Sequence, residues 1–208
     1  MYVVLLKSAG DNATSIGDDP YVQILKNSGF SVDLLETLDF EYNISNLAEY
    51  KNWRNNHSCI IFSSPRSVIA CVKAGLTAKK AGFSPKGADS GDAEKLASFI
   101  LKHFTSRKKV NTVVAYSSVE NTQLHEKLRL NLCEGNPIPE CLVFFSPSGV
   151  SLTEKILLTE IKPHRPNIKL VAMGRATATQ LKELGLTVSA VASSPKPESL
   201  LTALKQLK

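Results

Sequence analysis

The sequence predicts a doubly wound α/β protein, in which parallel strands form a sheet and helices cover both of its faces. Two observations favour this class. Short runs rich in β-branched and aromatic residues are continuously apolar rather than alternating, which is typical of strands buried on both faces. Helical patterns with recognisable ends separate most of these runs, and that order favours right-handed parallel crossovers.

The individual elements follow from turn-forming residues at their ends. The predicted strands are residues 3–6, 31–35, 59–62, 110–115, 142–145, 168–173 and 187–191. Asp19-Pro20 begins a helix that ends at Gly29, and the helical pattern of residues 175–183 ends at Gly185. The last helix, residues 197–207, carries leucines at positions 200, 201, 204 and 207. Strands and helices therefore alternate along most of the chain.

Length and charge narrow the classes of function. The chain has 208 residues, enough for one or two domains with their own cores. It has neither a membrane-length apolar run nor a secretory signal, so we expect a cytoplasmic protein that does not bind membranes. Residues 105–208 carry 14 basic and 8 acidic side chains, whereas residues 1–104 carry 11 of each. Because the basic residues are not interleaved with aromatic ones, we expect a small polyanionic ligand rather than nucleic acid.

Several kinds of catalytic chemistry lack their motifs. The four cysteines form no CxxC pair, which excludes the usual metal and redox motifs. Cys59 and Cys141 lie in apolar runs, so we expect buried thiols there. No histidine lies beside a plausible nucleophile, and GxSxG, GxGxxG and GxxxxGK are all absent. The sequence therefore gives no support to a catalytic triad, a metal centre or a nucleotide-phosphate loop.

An internal repeat indicates two copies of one α/β unit. Residues 60–68 resemble residues 142–150 at an offset of 82, and residues 81–83 resemble residues 184–186 at an offset of 103. The 21-residue difference corresponds to the strand and turn of residues 168–179, which the earlier copy lacks. We therefore expect the earlier unit to be truncated, with part of its apolar surface uncovered.

Two Ser-Pro pairs are the strongest local features. Ser64-Pro65 and Ser146-Pro147 each follow a predicted strand and begin a helix. Serine is a good N-cap and proline suits the first helical position. The following backbone N–H groups and the helix dipole favour an anion at the carboxyl end of the strand. Ser-Pro is also simply an efficient helix start, and that alternative stays open. Ser194-Pro195 is interpreted only as a cap.

Two further features are candidate sites. Gly174, Arg175 and Thr177 follow a predicted strand, where glycine lets a ligand approach the backbone and Thr177 could donate its hydroxyl to an anionic oxygen. Tyr116 is the one tyrosine placed at the end of a predicted strand. Each motif alone is weak.

Taken in order, the motifs resemble the uroporphyrinogen-III synthase family, and its animal members most closely. They are VVLLK at 3–7, DPY at 19–21, FSSPRSV at 62–68, GDAEKLA at 91–97, FFSPSG at 144–149, GRATA at 174–178 and SPKP at 194–197. The resemblance implies a monomeric enzyme without a cofactor that closes hydroxymethylbilane into uroporphyrinogen III, with inversion of ring D and loss of water. It is an enzyme of haem and tetrapyrrole biosynthesis.

The resemblance also implies the domain plan and the site. Two α/β domains, residues 1–38 plus 120–208 and residues 43–110, are joined by linker strands at 39–42 and 113–119, with the substrate in the cleft between the domains. Tyr116 matches the family's candidate proton donor. The residues that match its substrate-binding turns are Lys7, Ser64, Arg66, Ser146, Ser148, Gly149, Gly174 and Thr177.

Two departures from the family pattern leave an alternative function open. The inserted domain lacks a strand with its Gly-x-x-Thr turn after the Ser64 helix, and a second strand and turn between residues 104 and 110. A domain so short of core is expected to be loose. The alternative is a shortened, catalytically inactive form that at most binds tetrapyrroles or polycarboxylate anions. An unrelated two-lobed binding protein is a third hypothesis.

Overall fold

The computed structural model describes residues 1–8, 16–48, 57, 59–75, 93–103, 111–134 and 137–207. The chain divides into two compact units. The first unit is formed by Met1–Asp39 and Ser118–Lys208, and the second by Phe40–Ser117. Within the described ranges, no helix has the length and apolar character that crossing a membrane requires.

Strands and helices alternate through most of the described residues of the two units. The strands are β1 (Tyr2–Lys7), β2 (Ser31–Glu36), β3 (Leu38–Tyr42), β4 (Tyr116–Glu120), β5 (Cys141–Phe144), β6 (Lys169–Ala172) and β7 (Val188–Val191). The helices are α1 (Pro20–Asn27), α2 (Ile44–Ala48), α3 (Pro65–Lys73), α4 (Ala93–His103), α5 (Leu124–Arg129), α6 (Pro147–Ile156), α7 (Arg175–Glu183) and α8 (Pro197–Lys205). Short or wide helical turns lie at Ile16–Asp18, Leu130–Glu134, Leu157–Ile161 and Lys162–His164.

A five-stranded parallel sheet organises the first unit. Its strand order is β2-β1-β5-β6-β7, and every neighbouring pair is parallel. In register, Leu6 lies beside Phe144 and Phe144 beside Ala172, so β1, β5 and β6 end at the same edge. The strand order reverses between β1 and β5, and ligands of open α/β sheets bind beyond the carboxyl ends of strands at such a point.

The two faces of this sheet bury separate hydrophobic clusters. Val4 and Leu6 belong to one cluster, with side chains from α5, α6 and α7, whereas Val3 and Leu5 belong to the other, with side chains from α1 and α8. Successive side chains of a strand point to opposite faces, so a continuous apolar run supplies both clusters. The predicted doubly wound α/β class is confirmed.

Capping explains where helices of this unit begin, with one correction. The Asp19 carboxylate accepts a hydrogen bond from the backbone N–H of Tyr21 at 2.9 Å, as an N-cap does. The prediction that Ser194 caps the last helix is wrong. Lys196 occupies the cap position, and the Ser194 hydroxyl instead bonds the Ser199 hydroxyl at 2.6 Å. The chain first makes a turn, in which Lys196 N–H donates to the Ser194 carbonyl, so the helix starts later.

The second unit has a small core in its described residues. Leu47 of α2 packs with Ala70, Cys71 and Ala74 in and just after α3. The strands β3 and β4 form a two-stranded sheet where the chain enters and leaves this unit. Among the described residues, the partly buried side chains of Tyr42, Phe62, Val113 and Ala115 pack against this cluster.

Two predicted strands of this unit are wrong. Residues 59–62 and 111–115 form no strand, and β4 begins only at Tyr116. Val110 lies outside the described residues, as does the whole of the 104–110 segment. A β-branched run becomes a strand only where a neighbour accepts its backbone hydrogen bonds. Cys141 is fully buried as expected, whereas the expected burial of Cys59 is wrong, and no described strand pairs with its run.

Candidate functional site

Lys7 ends β1 and is the first predicted site residue at the carboxyl edge of the sheet. Its ammonium pairs with the Asp19 carboxylate, whose side chain is only 4% exposed. The Lys7 Nζ also lies 5.4 Å from the ring centroid of Tyr21 and 5.9 Å from that of Phe145, within cation–π range. Lys7 therefore brings a positive charge to this edge, but a nearly buried carboxylate balances it.

Tyr21 and Phe145 line the same edge as an aromatic pair. Their ring centroids are 4.8 Å apart and the rings are nearly perpendicular. The Tyr21 hydroxyl donates to the Pro195 carbonyl at 2.9 Å. Burial raises the pKa of Tyr21 above its usual value, and the charges of Asp19 and Glu198 raise it further. Tyr21 is therefore a neutral packing residue at this edge.

The Ser-Pro turn after β5 contains three predicted site residues. Ser146 is the N-cap of α6, and its hydroxyl accepts a hydrogen bond from the Gly149 N–H at 3.1 Å. The Ser148 hydroxyl lies 3.0 Å from the Ser146 hydroxyl. A methyl group at Gly149 would lie 3.4 Å from the Ser146 oxygen, which is ordinary contact. The turn thus presents two hydroxyl groups at a helix N-terminus, where an anion is favoured.

The turn after β6 differs, because no side chain caps its helix. Gly174 occupies the cap position of α7 with φ 106° and ψ 168°, a conformation that essentially only glycine adopts. Thr177, the third residue of α7, is 2% exposed. Without a side-chain cap, the first N–H groups of α7 depend on water or a ligand. The glycine turn therefore suits a ligand that bonds backbone N–H groups.

Register brings these turns together. Met173 N–H donates to the Phe144 carbonyl at 2.8 Å, and Phe145 N–H donates to the Leu6 carbonyl at 3.3 Å. The residues that follow, at the Ser146 and Gly174 turns, therefore leave neighbouring strands at one edge. The first unit thus gathers six of the predicted residues at its strand ends.

Three other predicted site residues lie in the second unit. Ser64 and Arg66 are at the N-terminus of α3, and Tyr116 begins β4. The Ser64 hydroxyl accepts from the Ser67 N–H at 3.2 Å, and Ser67 returns a bond from its own hydroxyl to the Ser64 carbonyl at 2.6 Å. The Ser64 hydroxyl also lies 3.2 Å from the Tyr116 phenol oxygen, within hydrogen-bond distance. Ser64 and Tyr116 are thereby joined, although 52 residues separate them in the chain.

Phe40 is part of the same group, and the sequence interpretation missed it. The Arg66 guanidinium carbon lies 3.6 Å from the centroid of the Phe40 ring. The rings of Phe40 and Tyr116 are 6.0 Å apart between centroids, at 70° to one another. The signal in the sequence is the alternation of Leu38, Phe40 and Tyr42, which are less exposed than Asp39 and Glu41 between them. That pattern predicts a half-buried strand with one packed face.

A surface pocket of 440 Å³ lies at the other edge of the sheet, before β5 and β6. Residues 138–140 and 164–169 line it, and it includes no predicted site residue. The carboxyl edge is the better candidate site because parallel strands there end in helix N-termini and open N–H groups. Among the described residues, no group of three or more His, Cys, Asp and Glu side chains is arranged to hold a metal ion.

The fold and these two groups of residues define a class of protein. It is an α/β protein with helix N-termini suited to an anionic ligand at the strand ends of its first unit. Its second unit carries the Tyr116 phenol, the Ser64 hydroxyl and the Arg66 guanidinium. Residues 92–202, more than half of the chain, match the family model described as Uroporphyrinogen-III synthase HemD. The chain therefore belongs to the uroporphyrinogen-III synthase family. Hydroxymethylbilane is the substrate of this family, which acts in porphyrin biosynthesis.

Two solved structures resemble the chain in fold. A mutant uroporphyrinogen III synthase from the extremely thermophilic bacterium Thermus thermophilus is 14% identical, with a TM-score of 0.55 over 99% of this chain and 97% of that one. A second structure, Thermus thermophilus uroporphyrinogen III synthase, is also 14% identical, with a TM-score of 0.51 over 100% of both chains. At this identity the likeness concerns the fold.

Proposed function

We propose that this chain is a uroporphyrinogen-III synthase of the animal type, which cyclises hydroxymethylbilane to uroporphyrinogen III with inversion of ring D and loss of water. The observation that carries the proposal is the contact between the Tyr116 phenol and the Ser64 hydroxyl, with Phe40 and Arg66 beside it. The membership of the family supports it. A general acid and a cation for the substrate's carboxylates are the groups this reaction needs.

Tyr116 is the proton donor in this proposal. The substrate loses a hydroxyl from an electron-rich pyrrole unit, and a proton from the Tyr116 phenol lets that hydroxyl leave as water. Ring closure releases a proton from the attacked pyrrole carbon, so the reaction needs no net proton. The Ser64 hydroxyl accepts from the Ser67 N–H, and in this proposal Ser64 is the donor in its contact with the Tyr116 oxygen. A bond from Ser64 stabilises the phenolate that forms when Tyr116 gives up its proton.

The strand ends of the first unit bind substrate carboxylates in this proposal. Ser146 and Ser148 offer hydroxyl groups at the start of α6, and the turn from Gly174 to the almost fully buried Thr177 offers backbone N–H groups at the start of α7. Both helices have nine or more residues, so their dipoles favour negative charge at these ends. Lys7 lies at the end of the neighbouring strand, where its ammonium is paired with the Asp19 carboxylate and offers N–H donors without net charge. These groups suit a polycarboxylate.

The domain organisation, oligomeric state and location of the chain are proposed as follows. We propose that residues 1–38 plus 120–208 form one domain, that residues 43–110 form an inserted and shortened domain, and that residues 39–42 and 113–119 link them. The protein acts as a cytoplasmic monomer without a cofactor. Sedimentation of the purified chain tests the monomer, because a dimer doubles the mass.

The decisive experiment measures which uroporphyrinogen isomer the 208-residue chain makes from freshly prepared hydroxymethylbilane. Without an enzyme the substrate cyclises to isomer I. We expect mostly isomer III from the wild-type chain, and a fall of about 100-fold or more in its rate of formation in Tyr116→Phe, since one general acid is worth about 10²–10⁴. Isomer I alone from a folded wild-type chain would refute the proposal.

A second candidate function is a shortened form that binds tetrapyrroles or polycarboxylates without turning them over. The exposure of apolar side chains in the second unit favours it: Ile61 is 47% exposed, Val72 54% and Leu101 78%. Such side chains are what lost neighbouring strands would leave uncovered. A titration with uroporphyrinogen III beside the isomer assay separates the two functions. Binding without any rate above spontaneous cyclisation favours this candidate, and turnover excludes it.

A further inference from the structure

We infer that Phe40 is a positioning residue of the proposed reaction, because its ring supports both the Tyr116 phenol and the Arg66 guanidinium. The inference rests on the proposed function and adds a residue to it. Phe40 lies on β3, Arg66 on α3 and Tyr116 on β4, so one ring joins three elements. All three side chains are partly buried, which limits the rotamers they adopt.

The geometry requires an aromatic ring rather than apolar volume alone. At 3.6 Å from the ring centroid, the Arg66 guanidinium carbon is at stacking distance from Phe40. The negative face of an aromatic ring attracts this cation, whereas an aliphatic side chain has no such face. The 70° angle between the rings of Phe40 and Tyr116 is the edge-to-face arrangement that aromatic pairs prefer.

The chain offers a matched control on the same strand. Tyr42 lies two residues after Phe40, on the same face of β3, and the Lys73 ammonium lies 4.1 Å from the centroid of its ring. Lys73 follows Arg66 by seven residues, or two helical turns, so the two cations lie on one side of α3. Tyr42 also packs against the small core of this unit. Its removal should therefore destabilise the unit at least as much as removal of Phe40.

The test compares three variants in the isomer assay: Phe40→Leu, Phe40→Tyr and Tyr42→Leu. We expect Phe40→Leu to lower kcat/KM for isomer III about 10- to 100-fold, because misplacement of a reacting group by about 1 Å has effects of this size. The loss should appear both as a lower kcat, from Tyr116, and as a higher KM, from Arg66. Phe40→Tyr keeps the ring and should recover most of the rate. Tyr42→Leu, compared at equal folded fraction, should stay within about threefold of wild type.

Two results would overturn the inference. One is a Phe40→Leu chain with wild-type kcat and KM. The other is an equal loss in Tyr42→Leu, which would mean that Phe40 acts only through the stability of the unit.

A spectroscopic readout separates this inference from a failure of the proposed function. In a chain labelled at the tyrosine rings and the arginine side chains, the Tyr116 and Arg66 signals are identified by their absence in Tyr116→Phe and Arg66→Lys. Both lie close to the Phe40 ring, so its ring current shifts them. We expect both signals to move in Phe40→Leu and neither to move in Tyr42→Leu. If wild type makes no isomer III, the proposed function fails, and signals that do not move in Phe40→Leu refute the positioning role as well.

Discussion

Replacing Asp19 tests how the carboxyl edge of the first unit is held together. The Asp19 carboxylate caps α1 by accepting from the N–H groups of Tyr21 and Val22 at 2.9 and 3.4 Å. It also pairs with the Lys7 ammonium at the end of β1. Asp19→Asn keeps a capping oxygen and removes the charge, whereas Asp19→Ala removes both. The two variants therefore measure the two contributions separately.

The expected magnitudes follow from burial. The side chains of Asp19 and Lys7 are only 4% and 19% exposed, so solvent screens their interaction weakly. Loss of a hydrogen bond between charged groups costs about 1.5–3 kcal/mol, which is the expected effect of Asp19→Asn. Loss of the cap adds about 1 kcal/mol, so Asp19→Ala should cost about 2.5–4 kcal/mol. The Lys7 ammonium keeps its contacts with the rings of Tyr21 and Phe145 after Asp19→Asn, so the cost of this substitution should not exceed the range given.

Amide hydrogen exchange in β1 and β5 is the appropriate assay, because it reports the opening of the first unit alone. The free energy of opening should fall by the amounts given above. Glu183→Gln, at an exposed position on α7, is the control and should change it by less than about 0.5 kcal/mol. A loss below about 1 kcal/mol in Asp19→Ala would refute the argument, since neither the cap nor the ion pair would then stabilise the unit.

Three further predictions concern the remaining features. Ser64→Ala should lower kcat about tenfold, because it removes the hydrogen-bond partner of the Tyr116 phenol. Ser67→Ala leaves that contact in place, so its kcat should stay within about twofold of wild type. Equal losses of kcat in the two variants would contradict a role for the Ser64–Tyr116 contact. Gly174→Ala should destabilise the first unit by about 1–3 kcal/mol in the same exchange assay because of its φ of 106°, and no measurable loss would argue against that backbone geometry. Burial raises the pKa of the Cys141 thiol from 9.0 to about 12, so its contribution to stability is complete below pH 9 and disappears as pH rises from 9 to 12. Unfolding followed over that range should show a smaller decline in Cys141→Ala, and an unchanged decline would contradict the burial of an ionisable thiol.

The fold of the first unit was predictable because each strand run is long enough to fill both faces of a sheet. The residues 3–6 and 142–145 are apolar at every position, and each of these strands has parallel neighbours on both sides. Burial on both faces leaves no position for a polar side chain, so the composition of a strand indicates its place in the sheet. Capping residues such as Asp19 identified the start of α1 for a similarly local reason.

The run of residues 59–62 shows where that inference fails. It is as apolar as the others, and it follows the same pattern into a Ser-Pro helix start. Whether it pairs depends on a neighbouring strand, and the pairing partner is not encoded in the run itself. Cys59 and Ile61 are therefore exposed in the structure, although the same residue types are buried in the first unit.

The site was predictable only in part. The residue types and turns of Ser64, Ser146 and Gly174 follow from local chemistry, since a cap and a glycine turn are properties of a few consecutive residues. The approach of Ser64 to Tyr116, and the role of Phe40 beside them, depends on segments far apart in the chain.

The sequence by itself determined the parallel α/β class, the helix starts at Ser64-Pro65 and Ser146-Pro147, and the residue types available for binding an anion. These follow from backbone preferences and from the burial that a continuous apolar run demands. Only the tertiary structure decided that Asp19 balances the charge of Lys7 and that the Phe40 ring contacts both Arg66 and Tyr116. Such contacts arise only when whole strands and helices pack together. The register and packing of several elements fix which side chains become neighbours, and no single segment of the sequence contains that information.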